Sequence, residues 1–293
     1  MAQDKTLFHF TGSDGTRISA YRWPAREPLR AVLQVSHGMG EHALRYLEPL
    51  QPLLARGIAV YANDHRGHGL TATKDTLGEF GPGGFAAVVD DMAVLSLLIR
   101  DEYPSVPLIL LGHSMGSFAT QIYLLTHSTL IDGVVLSGSA ALDLLPPPDP
   151  SGNALEAFNA AFEPARTPFD WLSRDPTEVD KYVFDPLCGF SVSPNSMVSL
   201  FAAAAPMFEP NALQRIRSDL PMYVFAGDKD PLNGDLTRLK PLVERYREAG
   251  VRDITTDYYK DGRHEMLNET NRGEVVANLA GWIDRIVTKA GKT

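Results

Sequence analysis

Residues 107–125, PLILLGHSMGSFATQIYLL, decide the fold. An apolar run from Leu108 to Leu111 ends at Gly112, and a helical spacing of Phe118, Ile122 and Leu125 begins just past Gly116. A buried strand therefore passes into a helix through a turn only a few residues long, and Ser114 stands on that turn between two glycines. Glycine has no Cβ, so the turn can be sharp and the new helix can run close to the sheet. The turn also leaves the Met115 amide at a helix N-terminus, where unpaired N–H groups and the helix dipole favour negative charge. A serine presented in this way is a candidate nucleophile, and the Met115 N–H supplies half of a candidate oxyanion hole.

The same strand-then-helix rhythm extends in both directions. Short β-like runs recur at TLFHF (6–10), TRISAYRW (16–23), AVLQVS (31–36), IAVYAN (58–63), GVVLS (133–137), PMYVFA (221–226) and ITTDYY (254–259). Several lack in/out alternation, as strands covered on both faces do. Between them lie helical stripes such as Phe85, Val88, Val89, Met92, Leu95 and Ile99. Alternation of this kind implies an α/β fold with a mostly parallel sheet flanked by helices. From about residue 140 to 210 the rhythm stops. The proline-rich LLPPPDPSGN (144–153) leads into a helical region that ends in the unusually apolar MVSLFAAAAPMF (197–208). The expected organisation is a core in two parts, 1–139 and 211–293, around an inserted cap, 140–210. The apolar residues of the insert either line a channel for a substrate chain or pack the insert onto the core; the sequence leaves both open.

Composition excludes several classes of protein. With 44% hydrophobic and 22% charged residues, the 293-residue chain is ordinary globular material. A net charge of −9 without any basic run argues against a nucleic-acid partner. Cys188 is the only cysteine, so no internal disulfide can form, and it is expected to be a small buried hydrophobe. No early apolar stretch suggests a signal peptide, and no segment approaches about 18 uninterrupted apolar residues. A soluble cytoplasmic protein is expected.

A nucleophilic serine needs a base and an acid to orient it. In strand-turn-helix serine hydrolases these follow in the order acid, then histidine. Past residue 127 the chain holds one histidine, His264, in the loop DGRHEMLNE (261–269). PMYVFAGDKDPL (221–232) offers Asp228 and Asp230 beyond a strand end. Asp230 is favoured because Pro231 restricts its backbone to extended conformations. In the loop HGMGEH (37–42), Gly38 and Gly40 allow backbone conformations closed to other residues, which makes the Met39 N–H the candidate second oxyanion donor. His37 and His42, with His65 and His68 of NDHRGHG (63–69), have no strong metal-ligand spacing. Tight turns with hydrogen-bonding rings explain them, so no metal and no cofactor is expected.

HGMGEH, DHRGHG, GHSMG, GDKDP and GRHEMLNE, in this order along nearly the whole chain, resemble the monoglyceride lipase and lysophospholipase branch of the α/β-hydrolase family. LSRDPTEVDKYVFDPL (172–187) is similar to the cap of that family. The resemblance implies an eight-stranded α/β-hydrolase fold with a helical cap. It also implies Ser114 as nucleophile, Asp230 as acid, His264 as base, and Met39 and Met115 as oxyanion donors. By position, Glu41 and Arg45 would contact a glycerol head group; as residues they fit equally well a salt-bridged junction between loop and helix. Some members carry a second histidine three residues after the base, where this chain has Leu267.

The activity implied is hydrolysis of a carboxylic ester carrying a single acyl chain, with a small lipid-like ester as partner and transient membrane or micelle contact through the cap. Lysophospholipase or general carboxylesterase activity is the near alternative. More distant alternatives are amide cleavage, with Glu41 meeting a free amine, and ligand binding without turnover. Oligomeric state is not legible.

Overall fold

The computed structural model describes residues 5–26, 28–145 and 154–290. Eight strands form one sheet: β1 (Thr6–Thr11), β2 (Arg17–Trp23), β3 (Ala31–Ser36), β4 (Ile58–Asn63), β5 (Leu108–His113), β6 (Gly133–Ser137), β7 (Met222–Gly227) and β8 (Ile254–Tyr259). Each coincides with one of the runs found in the sequence. Their order is β1-β2-β4-β3-β5-β6-β7-β8. β1 and β2 are antiparallel to their neighbours, and the other six strands run parallel. The expected eight-stranded, mostly parallel α/β sheet is the observed one.

The helices are α1 (Leu47–Leu54), α2 (Gly84–Glu102), α3 (Met115–His127), α4 (Ala154–Ala157), α5 (Pro176–Phe184), α6 (Pro194–Ala204), α7 (Leu239–Glu248) and α8 (Arg272–Ala290). Val32, Leu108, Leu110, Val134 and Val224 face one core, shared with α2, α3 and α7. Leu33, Val35, Ile109, Leu111, Val135 and Phe225 face a second core, shared with α1 and α8. Two buried faces explain why these strands are predominantly apolar on both sides, with the buried Gln34 of β3 satisfied by the Met92 carbonyl and the Ser96 hydroxyl. The α2 stripe from Phe85 to Ile99 is buried throughout, and burial of each such side chain contributes about 1.5–3 kcal/mol.

Between β6 and β7 the chain forms α4, α5, α6 and several 3₁₀ turns. Most of the proline-rich stretch, residues 146–153, lies outside the described residues. α5 and α6 begin at Asp-Pro and Ser-Pro. Asp175 accepts from the Thr177 N–H at 3.0 Å and Ser193 from the Ser196 N–H at 3.2 Å, while the following prolines need no acceptor at the first helical position.

α6 is docked on the core. Its Ser196 and Ser199 hydroxyls accept from the Phe80 and Phe85 amides at 3.0 Å each. Leu200 and Ala204 are buried in the core shared with α2 and α3. Within MVSLFAAAAPMF, Leu200 is therefore packing, whereas Val198 and Phe208 are exposed.

Candidate active site

The C-terminal ends of the parallel strands, where open α/β sheets place their ligands, gather the candidate residues. Ser114 follows β5 with φ 53° and ψ −123°, a strained conformation for a non-glycine residue that costs on the order of 1–3 kcal/mol. Its N–H donates to the Ser137 carbonyl at 3.0 Å, which pins the turn to the end of β6. Gly112 and Gly116 are required by space. A Cβ on Gly112 would stand 2.3 Å from Thr120 Oγ1, and one on Gly116 would stand 2.1 Å from the Ser36 carbonyl oxygen. The start of α3 thus presses on the end of β3 and brings Met115 beside the loop that follows β3.

Asp230 lies past β7, wholly buried, with Oδ1 3.0 Å from His264 Nδ1. The same oxygen accepts from the Leu232 N–H at 2.9 Å, which fixes its direction. Asp228 instead accepts from the Asp261 N–H at 2.8 Å at the surface and supports the next loop.

His264 is held in the loop after β8. It is buried between the rings of His113 and Trp171, with centroids 4.8 Å away in each case. Burial pulls the His264 pKa down, but the Asp230 carboxylate outweighs it, with Glu265 and Glu41 adding to the effect. The ring therefore titrates above the ordinary imidazole value. A Cβ on Gly138, the residue after β6, would come within 2.9 Å of Cε1 of both His113 and His264. Ser114 and His264 thus adjoin the same Ser137–Gly138 corner.

In the loop after β3, Gly40 adopts φ +63°, but Gly38 does not need positive φ. Gly38 is required because a Cβ there would stand 2.8 Å from Glu41 Oε1 and 3.1 Å from Ser114 Cβ. Neither the Met39 nor the Met115 amide donates to an acceptor among the described residues, as two oxyanion donors require.

Two of the four histidines weighed as metal ligands spend both nitrogens on backbone groups of these loops. His37 Nε2 accepts from the His65 N–H at 2.9 Å, and its Nδ1 lies 2.8 Å from the Gly38 carbonyl. His68 Nε2 accepts from the Gly40 N–H at 3.2 Å, and its Nδ1 lies 2.9 Å from the Arg66 carbonyl. Burial, with the neighbouring rings, pushes the pKa values of His65 and His68 down to about 3, so both are neutral. His42, Asp185 and Cys188 bring one ligand atom each within 4.8 Å of one another. There His42 Nε2 is paired with Asp185 at 2.9 Å, and burial pushes the Cys188 thiol above its usual range.

Glu41 and Arg45, carried over as head-group contacts, come together, but their charged atoms turn to protein partners. Glu41, 2% exposed, accepts from the Gly38 N–H at 2.5 Å and from the Tyr46 hydroxyl at 2.8 Å. Arg45 donates to Glu41 at 2.6 Å and to both oxygens of Glu265 at 2.6 and 2.8 Å. Sequence reasoning missed Glu265 and Trp171. Glu265 adjoins the candidate base, which was a signal; Trp171 carried none, because its contact with His264 spans 93 positions.

The segment between β6 and β7 reaches both candidate loops. The Trp171 and Leu172 carbonyls accept from the His264 and Glu265 amides at 3.4 and 2.8 Å. The Tyr182 hydroxyl and the Gly189 N–H donate to the Gly40 carbonyl at 2.8 and 2.9 Å.

The chain matches the family model described as serine aminopeptidase, S33, over residues 27–271. A monoacylglycerol lipase from Mycolicibacterium smegmatis is 30% identical, covering 94% of this chain and 95% of the relative. A monoglyceride lipase from Mus musculus is 28% identical, covering 97% and 92%. Among solved structures, a highly thermostable carboxyl esterase from Bacillus coagulans in complex with glycerol has a TM-score of 0.87 at 27% identity, covering 97% of this chain and 99% of that one.

Proposed function

The chain belongs to the serine aminopeptidase S33 family of α/β hydrolases and is a serine ester hydrolase, and we propose that it cleaves monoacylglycerol-like esters, a single acyl chain on a small alcohol, through an acyl-enzyme on Ser114. In this reading His264 takes the Ser114 hydroxyl proton as the oxygen attacks the ester carbonyl. Asp230 holds Nδ1–H and stabilises the imidazolium, while the Met39 and Met115 amides receive the oxyanion. His264 then protonates the departing alcohol. A water deprotonated by His264 attacks the acyl-enzyme and releases the acid.

The observation that carries the reading is the pairing of a strained, strand-end Ser114 with a buried Asp230–His264 pair at one corner of the sheet. Glu41 is sealed by the Gly38 amide, Tyr46 and Arg45, which counts against its receiving the free amine of an aminopeptidase substrate. We take residues 140–210 as the cap, with its partly buried Phe201 and Met197 toward the acyl chain. Phe184 and Val198, 82% and 69% exposed, are the side chains that would meet a membrane or micelle. No helix among the described residues is long and apolar enough to cross a membrane.

The test is a substrate panel of 1-monoacylglycerols, lysophospholipids, p-nitrophenyl esters and aminoacyl amides, with fluorophosphonate labelling of wild type and Ser114→Ala. Monoacylglycerol turnover, with labelling abolished in the variant, is expected. Absent labelling of the wild type would favour ligand binding without catalysis, and preferential amide cleavage would favour a peptidase.

A further inference from the structure

The loop after β3 and the loop after β8 must be held in mutual register, because one carries a candidate oxyanion donor and the other the base. Nothing in the sheet does this directly: β3 and β8 are separated by β5, β6 and β7. A buried ion cluster spans the gap. Arg45 Nη1 lies 2.6 Å from Glu41 Oε2 and 2.6 Å from Glu265 Oε1, and its Nη2 donates to Glu265 Oε2 at 2.8 Å. The Asn268 amide donates to that last oxygen at 2.9 Å, and the guanidinium lies over the Tyr182 ring at 4.8 Å. Glu41, Arg45, Glu265, Tyr46, His113 and Leu267 surround a cavity of only about 10 Å³, room for roughly one water. Leu267 closes it on the side where a histidine would have offered a polar group.

A single guanidinium between two buried carboxylates is costly, because taking charges out of water is repaid only by excellent geometry. Here every charged oxygen has a directed partner. Burial pushes the Glu41 and Glu265 carboxyls up, and the Arg45 charge outweighs it in both, so the cluster keeps two negative charges and one positive. Its mechanical path is short. Glu265 adjoins His264 in the chain; its carboxylate grips Arg45; Arg45 grips Glu41; Glu41 holds the Gly38 amide, one residue before Met39.

The geometry points to Glu265 as a positioning residue that, through Arg45 and Glu41, locks the oxyanion loop in register with the histidine loop. This rests on the acyl-enzyme reading given above. A misplacement of about 1 Å can cost two orders of magnitude in rate, so a clamp across this gap has a large effect to exert. The cluster's excess negative charge acts in the same direction by supporting the imidazolium. The groups facing His264 are Asp230 from the loop after β7, Glu41 from the loop after β3, His113 from β5, Glu265 from its own loop, and the uncharged Trp171 of the insert.

The test is Glu265→Gln beside Glu265→Asp, each assayed on p-nitrophenyl butyrate and on a monoacylglycerol, with melting temperatures and fluorophosphonate labelling rates. Glu265→Gln is expected to lower kcat about tenfold or more, about 1.4 kcal/mol in the barrier, equally on both substrates and with KM within about twofold. Its acid limb in kcat/KM should move to lower pH, because His264 loses a neighbouring negative charge. Glu265→Asp keeps the charge but shortens the reach. It should lose rate without moving the limb, and it serves as the informative variant if Glu265→Gln folds poorly. A KM increase confined to the monoacylglycerol would make Glu265 a head-group contact and overturn the proposal. Wild-type kcat and pH profile in both variants, or rate losses that only track melting temperature, would overturn it too. Failure of the underlying reading would show separately, as a wild-type protein that fluorophosphonate does not label.

Discussion

Replacing Asp230 by Asn, with Asp228→Asn as its partner variant, separates two carboxylates two residues apart that the structure uses differently. Asp230 is wholly buried with Oδ1 3.0 Å from His264 Nδ1, whereas Asp228 accepts from the Asp261 N–H at the surface. Oδ1 accepts from the Leu232 N–H as well as facing Nδ1, so an asparagine at 230 meets one of two losses: with its oxygen there it offers the imidazolium no charge, and with its NH₂ there it gives up the Leu232 bond. Turning its NH₂ toward Nδ1 makes that nitrogen an acceptor. The ring proton then moves to Nε2, where a base must be free. In the chymotrypsin triad the wrong tautomer costs on the order of 10⁴ in kcat, about 5.5 kcal/mol.

Asn at 228 keeps an acceptor for the Asp261 amide, and an exposed change of this kind is worth about 0.5 kcal/mol or less. The sign of the pH effect is also determined. Asp230 is the largest influence raising the His264 pKa, against burial that lowers it. Without it the acid limb of kcat/KM moves to lower pH. The assay is kcat/KM on p-nitrophenyl butyrate from pH 5 to 9, beside thermal melts. Equal losses in the two variants, or a larger loss in Asp228→Asn, would refute the assignment; a limb that moves upward would refute the electrostatics.

Leu200→Asp places a charge in the core shared with α2 and α3, so it should destabilise the protein by about 3 kcal/mol or more and depress acetate and long-chain ester hydrolysis alike. Phe201→Asp, at a half-buried position, should penalise long-chain esters far more than acetate; equal losses with an unchanged melting temperature would remove it from the acyl path. In the wild type, kcat/KM should climb roughly three- to fourfold per methylene, about 0.8 kcal/mol each, and a flat profile from two to twelve carbons would mean a shallow site. His65, His68 and His113 are held neutral, with pKa values lowered by burial to about 3, 3 and 4. The unfolded chain binds their protons first, near pH 6.5, so stability is fully present above that pH. It should fall by up to about 1.4 kcal/mol per ring per pH unit as pH drops toward 4. Thermal melts between pH 8 and 4.5 check this, and a flat melting temperature would mean that the three rings titrate as in the open chain.

The sequence by itself determined whatever depends on backbone order and local chemistry. A strand covered on both faces has no exposed side to mark with polar residues, so β3, β5, β6 and β7 were visible as mostly apolar runs without in/out alternation. The turn at Ser114 was visible because two glycines and a change of period announce it. His264 was the one histidine in the stretch where order calls for a candidate base, and Pro231 favoured Asp230 over Asp228 as the candidate acid. What needed the tertiary structure was the partner of each side chain, since that depends on residues far away in the chain.

Glu41 and Arg45, four positions apart, fit a head-group contact or a junction salt bridge equally well until Glu265, 220 positions past Arg45, closes over them. Gly38 looks like a residue chosen for its backbone freedom, yet it is there for space, because Ser114 packs against it. His37 and His68 could have faced a metal, and only the returning loops show their nitrogens taken up by backbone groups. Leu200 could have lined a channel, and the face that α6 turns toward α2 put it in the core. A periodic pattern shows that a face is buried, but it does not show against what. Burial against protein and burial against substrate draw on the same hydrophobic effect and leave the same mark in the sequence.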